Sequence, residues 1–251
     1  MDHANEYNVD GSLLGLGEYI LLEILNEMKL PQDAQQFLAV CRKIHQLQTH
    51  PRFAKIIQSI TQITPAFVIK EERQGRAEGN QFLHSDENQY CTIAIDPVIK
   101  EGIVRIEIVF ENTIGRWHRI IGIADESCSF AAGDRPQDNG NEEKTVRYWS
   151  YIGTIEHITK WIEGNDEYVD GERIAVEVDM TTSPRRVTFF VDDIEQQNSV
   201  IGIPEAIRFL ASIQTPSSSF TVIKFERLIK SSAQGVVESE VFEWGKEWKN
   251  K

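Results

Sequence analysis

The chain has no apolar run approaching the ~20 residues that a membrane-spanning helix needs. Its first residues, Met1-Asp2-His3-Ala4-Asn5-Glu6, have neither the basic nor the apolar stretch of a secretory signal. A cytosolic protein is therefore expected, with the nucleus as the other compartment open to it. Cysteine is scarce: Cys41, Cys91 and Cys128 are odd in number, far apart and set among apolar or strand-like neighbours, which fits reduced buried thiols rather than disulfides. With six histidines they form no CxxC, HxxxH or HxH pattern, so zinc is not expected. There is no GxxxxGK phosphate loop and no GxSxG elbow; Gly15-Leu16-Gly17 opens a helix without a preceding strand and lacks the third glycine of a dinucleotide site. No cofactor or metal is expected. Positive charge is also short, 26 Lys and Arg against 39 Asp and Glu, and the net charge of −13 argues against nucleic acid and anionic membranes as partners. That charge serves solubility, or selects a basic partner.

Among the 251 residues, 41% are hydrophobic and 26% charged, the balance of a folded globular chain. Leu16, Ile20, Ile24 and Met28 recur at helical spacing, with Tyr19, Leu21 and Leu25 widening the stripe. The spacing predicts a helix ending near Leu30-Pro31. A second is expected from an Asp33 N-cap with Gln36 three residues on, carrying Phe37, Val40, Cys41, Ile44 and Leu47. A third starts at Pro51 and carries Phe53, Ile56, Ile57, Ile60 and Ile63, until Pro65 closes it. Residues 13–65 therefore read as a small three-helix unit and 66–86 as a linker, most clearly from Arg73 onward.

The period then changes from helical to two. Cys91, Ile93 and Ile95 alternate with Thr92, Ala94 and Asp96, and Val104, Ile106, Ile108 and Phe110 alternate with Arg105, Glu107 and Val109. Stretches 120–124, 187–191 and 207–213 are apolar on both faces, as inner strands of two packed sheets are. Turns are expected at Ser183-Pro184 and Asp192-Asp193. Eight to ten strands without intervening long helices predict a mainly β, antiparallel two-sheet sandwich over 87–229. Residues 126–144 form one long irregular loop, functional or disordered. The tail 230–251 starts with a Ser-Ser-Ala-Gln-Gly hinge, and Val241, Phe242, Trp244 and Trp248 suit packing on the sandwich.

Glu177 and Asp179, two apart on one strand, share a face. Some sandwich glycosidases use such a pair, but here Met180, Thr181 and Thr182 follow where a further acid is wanted, and a solvated strand face is the plainer reading. The chain is not expected to be an enzyme.

The run Asp170-Gly171-Glu172-Arg173-Ile174-Ala175-Val176-Glu177-Val178-Asp179, followed by Arg186-Val187-Thr188-Phe189-Phe190-Val191-Asp192-Asp193, resembles the core hairpin of the SPRY family. Upstream, 102–110 and Ile120-Ile121-Gly122-Ile123-Ala124 are similar to its earlier strands, and Ile203-Pro204 and Ser219-Phe220-Thr221-Val222 to its closing ones, so that the resemblance covers about 90–228. It implies a lectin-like sandwich that binds a protein or peptide through loops at one end. Those loops are 125–148 and 214–218 here, and Trp117, Arg119, Phe130, Arg135, Tyr148, Trp149, Gln214 and Ser217 are the implied ligand-binding residues. The alternative for Tyr148, Trp149 and Trp161 is a place in the core. Gln214-Thr215-Pro216-Ser217-Ser218 stands where peptide-binding members place a Trp-Gly pair, so their ligand preference does not carry over.

The N-terminal run Leu16-Gly17-Glu18, Ile20-Leu21-Leu22-Glu23-Ile24-Leu25, Leu30-Pro31, Val40-Cys41-Arg42-Lys43 and Leu47 resembles an F-box, with Gly17 in the usual place of a proline. That implies docking on the Skp adaptor of a cullin ubiquitin ligase through Leu16, Ile20, Ile24, Leu25, Leu30 and Pro31. A structural helical cap is the alternative for the helices, and a glycan-binding or glycan-hydrolysing sandwich the alternative for the strands.

Overall fold

The structure, a computed structural model, describes residues 13–115 and 119–249. It divides into two compact units: the described residues up to Ile63 with Arg227–Lys230, and the described residues of Thr64–Glu226 and Ser231–Lys251. No helix among the described residues is long and apolar enough to cross a membrane.

The first unit holds α1 (Glu18–Asn26), α2 (Pro31–Ala39), α3 (Arg42–His45) and α4 (Phe53–Thr61), with 3-10 turns at Leu13–Gly15 and Gln46–Thr49. Leu21, Leu22, Leu25, Ala34, Leu38, Ile44, Leu47, Ile56 and Ile60 form its core. Two details differ from expectation. The second helix begins at Pro31 rather than behind Asp33, because the fixed φ of proline suits the first helical position and the Leu30 carbonyl accepts from the amides of Asp33 and Ala34. It also breaks at Cys41, whose backbone is extended at φ −160°. A straight continuation would carry Leu47 about 180° round the helix from Leu38; the break lets both enter one core.

The second unit is a sandwich of two sheets. The seven-stranded sheet runs β1 (Ala66–Val68), β4 (Cys91–Ile99), β14 (Ile207–Ile213), β6 (Arg119–Asp125), β7 (Thr145–Trp149), β8 (Ile155–His157), β9 (Lys160–Ile162). The nine-stranded sheet runs β16 (Glu240–Glu243), β13 (Asn198–Ile201), β11 (Arg186–Val191), β10 (Arg173–Asp179), β5 (Ile103–Glu111), β15 (Ser219–Leu228), β3 (Gln81–His84), β2 (Gly75–Glu78), with β12 (Ile194–Glu195) paired to β11. Ile106, Ile108, Val176, Val178, Phe189 and Phe220 are fully buried, the inward half of the alternation. Asp192 and Asp193, both at positive φ, make the tight turn between β11 and β12.

The stretch 66–86 is not a linker. Phe67 on β1 and Phe82 on β3 meet Phe220 with ring centroids 5.5 and 5.4 Å apart, so this stretch supplies core. Nor is the sandwich wholly antiparallel, for β16 runs parallel to β13.

The tail does not begin with a free hinge. Ser231 and Ser232 hydroxyls and the Ser232 amide donate to the Glu177 carboxylate, and the Gln234 and Gly235 amides donate to Glu195. Further on, Trp248 is buried against His157 and Phe242, with ring centroids 5.4 and 5.1 Å away. The Gly245 amide donates to His157 Nε2, so Nδ1 carries the hydrogen and donates to the Thr145 carbonyl.

Candidate functional site

The outward faces of both sheets are partly covered. On the nine-stranded sheet Glu177 is 2% exposed, sealed by Ser231 and Ser232. Arg105 lies beside it, donating to Ser232 Oγ, pairing with Asp193 at 2.7 Å and stacking over Phe190 at 4.3 Å. The solvated strand face expected at Glu177 is therefore a closed polar layer. A pocket of about 530 Å³ beside it is lined by Asp179, Arg186, Thr188, Ile201 and the 231–235 segment, with no aromatic side chain. A glycosidase-type carboxylate pair is not free there.

On the seven-stranded sheet the 125–144 loop folds back across the outward face. Phe130 packs on Ala94, Ala124 and Leu210, with Val68 and Cys128 against the cluster. Burial pushes the Cys91 thiol up to about 12 and the Cys128 thiol up to about 11, so neither is a ready nucleophile. The loop tip is tied down where the Gly133 amide donates to the Tyr90 carbonyl and the Thr92 hydroxyl to the Asp134 carbonyl.

Beyond the tip the face is open. Tyr90, Trp149, Ile152, Thr154, Glu156, Trp161 and Glu163 line a pocket of about 530 Å³. Its position follows from alternation: Tyr148 points into the core, so Trp149 points out, and Glu156 on β8 stands opposite Trp161 on β9. The Trp149 indole donates to Glu156 Oε2 at 2.7 Å, and the fully buried Arg147 holds Glu156 Oε1 at 3.1 Å. The β7–β8 connection supplies the rim. Trp149 N donates to the Thr154 carbonyl, Gly153 sits at φ 58°, and a Cβ there would lie 1.9 Å from the Asn165 carbonyl oxygen. Ile152, at φ 50°, is a β-branched residue in the left-handed region and 37% exposed, a strained placement that holds an apolar side chain at the pocket's edge. Trp161 is 53% exposed.

The expected ligand-binding residues separate into three groups. Trp149 lines this pocket, and Arg135 lies next to it, its guanidinium 6.0 Å from the Tyr90 ring centroid and gripped by Asp138, which raises its affinity for its proton. Arg119, Phe130 and Tyr148 are buried: Arg119 bonds Thr113 and Asp170, and Tyr148 bonds the Asp166 carbonyl, so they fix loops and present no surface. Gln214 and Ser217 are elsewhere; Ser217 bonds Asp86 and the Ser85 carbonyl. Trp117 lies outside the described residues. The two loops expected to share one end do not start together: β6 and β14 are antiparallel neighbours, so 125–148 and 214–218 leave from opposite ends. Only the folding back of the first brings its tip to Tyr90, near the 84–86 segment that holds Ser217.

Tyr90, Ile152, Thr154, Glu156, Trp161 and Glu163 are the pocket residues missed in the sequence. The signal was present in the hairpin, where Thr154 just before β8 and Glu156 on it, and Trp161 on β9 and Glu163 just after it, each lie two apart.

Of the expected adaptor contacts, Leu25 and Pro31 are buried, Leu16, Ile24 and Leu30 are half-buried, and Ile20 is 52% exposed. Leu25 belongs to the unit's core.

The class this architecture defines is a two-sheet β-sandwich carrying a separate helical unit, with an aromatic pocket on one outer sheet face. No protein-family model matches the chain, and no curated protein matches it by sequence. Among solved structures it is similar to the SPRY domain of human HERC1, at 9% identity and a TM-score of 0.46, over 67% of this chain and 97% of that one. It is also similar to the PSpry domain of TRIM65, at 10% identity and a TM-score of 0.49, over 64% of this chain and 92% of that one. The sandwich described above rests on its own strand pairing, and nothing of partner or activity passes from those proteins to this one.

Proposed function

We propose that the sandwich is a non-catalytic recognition module for a protein segment, and that the Tyr90, Trp149, Ile152 and Trp161 pocket is its contact surface. The observation that carries this reading is the half-exposed Trp161 lining one open pocket together with a second tryptophan, on a sheet face that the 125–144 loop covers only in part. Tryptophan and tyrosine in a pocket are the side chains that dominate interface energetics, and a stiff sandwich is a suitable frame for them. The SPRY-like run over 90–228 agrees with such a role. The test is a random peptide library panned against the full chain. Selected peptides should bind Trp161→Ala at least about 30-fold more weakly, and Val237→Ser, a change at a well-exposed site, should leave them unaffected. Equal binding to Trp161→Ala overturns the assignment.

The helical unit couples this module to a Skp-type adaptor and, through it, to a cullin ligase. The observation favouring this role is the exposed apolar side of α1, where Tyr19 and Ile20 meet solvent although the unit has a complete core. Purified Skp-type adaptor should bind the full chain and fail to bind Ile20→Asp, with both proteins unfolding at the same denaturant concentration. No binding by the unaltered chain reduces the helices to a packing unit.

A further inference from the structure

The chemistry of the pocket selects what enters it. Resting on the recognition role just assigned, we propose that the pocket takes a cationic side chain, lysine or arginine, from the recognised segment, with Glu163 as its counter-charge.

The argument is one of charges already used and charges left over. Glu156 is occupied by Arg147 at 3.1 Å and the Trp149 indole at 2.7 Å. Arg135 is held by Asp138 at 2.9 Å. Those two pairs cancel. Glu163, just past the end of β9 and lining the same pocket as Trp161, is exposed and has no ion-pair partner among the described residues. The pocket therefore holds one uncompensated carboxylate, in a chain whose net charge is −13.

The walls agree with the charge. The Trp149 N–H is committed to Glu156, which leaves the indole face rather than its donor for a ligand. Aromatic faces carry negative potential and attract ammonium or guanidinium groups, tryptophan most strongly. The chain uses the same interaction, with Arg135 against Tyr90, and this leaves Trp149 and Trp161 as the faces for an incoming cation. A carboxylate ligand would meet Glu163 unpaired. A neutral sugar could stack on the indoles but would find Thr154 and Glu163 as its main polar partners, too few for its ring of hydroxyls.

The experiment titrates the full chain with four probes: capped pentapeptides of glycine with a central arginine, lysine or citrulline, and the neutral trisaccharide maltotriose. It follows the indole N–H resonances of Trp149 and Trp161. Arginine and lysine peptides should shift both resonances saturably, and the citrulline peptide should bind about 5- to 30-fold more weakly, the range expected of a cation over an aromatic face with a nearby carboxylate. Glu163→Gln should reduce the preference for arginine over citrulline to less than about twofold. Equal binding of citrulline, or a preference unchanged in Glu163→Gln, overturns the charge assignment while the recognition pocket stands. Shifts with maltotriose alone make the site a glycan site. If arginine and citrulline peptides bind Trp161→Ala as they bind the unaltered chain, the recognition pocket itself falls. No shift with any probe at about 10 mM overturns the proposal as well.

Discussion

The outer face of the nine-stranded sheet closes over Glu177 with hydrogen bonds and ion pairs, whereas the outer face of the seven-stranded sheet closes over Leu210 with a phenylalanine ring, and only along part of its length. On the first, the chain leaving β15 doubles back and its serines fill the carboxylate's acceptor sites. On the second, an acidic, glycine-bearing loop carries one large apolar side chain to the sheet and stops at Tyr90, leaving Trp149 and Trp161 uncovered. Polar closure fixes a segment in one geometry; apolar closure fixes a position and leaves the neighbouring surface free for a partner.

The comparison can be broken first at the ring. Phe130→Ala empties the contact with Ala94, Ala124 and Leu210 and should cost about 3–5 kcal/mol in chemical denaturation. A loss under about 1 kcal/mol would mean that the loop is held by its hydrogen bonds instead. Acid attacks the seven-stranded sheet at its β8 strand, through His157, which the tail's Trp244 and Trp248 cover. Burial holds its imidazole down at about 4, against 6.5 for an exposed one, so on unfolding it gains a proton anywhere between those values. The stabilisation is complete above pH 6.5 and is lost as pH falls toward 4, a decline of about 3 kcal/mol that His157→Gln should flatten.

Glu177→Ala comes next. Removing the acceptor strands the Ser231 and Ser232 donors and should cost about 2 kcal/mol, with a coupling to Ser232→Ala in a double-mutant cycle. An effect within about 0.5 kcal/mol would restore the solvated face that alternation alone suggests. Ile152→Gly relieves a left-handed β-branched residue and should add about 1 kcal/mol while weakening the selected peptides. The smallest stability effect, within about 0.5 kcal/mol, is expected for Trp161→Ala, whose consequence lies in binding.

Alternation was enough to place Ile106, Val176 and Phe189 inside, because a strand's two faces are set by its own residues. It could not say whether Glu177 meets water: the serines that cover it lie 54 and 55 residues away in sequence. Arg119 and Tyr148 were marked as anchors by residue type, yet their hydrogen bonds to Asp170 and the Asp166 carbonyl make them internal ties. The short strands of 66–86 were hidden because Gly75–Glu78 is polar and Ala66–Val68 is three residues long. The loop ends were misplaced because strand direction was guessed; pairing of Ile207 with Asp125 and of Ile213 with Arg119 sets β6 against β14.

The most direct test of the recognition surface is amide hydrogen exchange of the full chain with and without a library-selected peptide. Added protection should be confined to residues 89–90 and 149–163, with the 231–235 segment and β10 unchanged. Protection centred instead on 231–235, beside Glu177, would contradict the assignment and move the binding site to the other face of the sandwich.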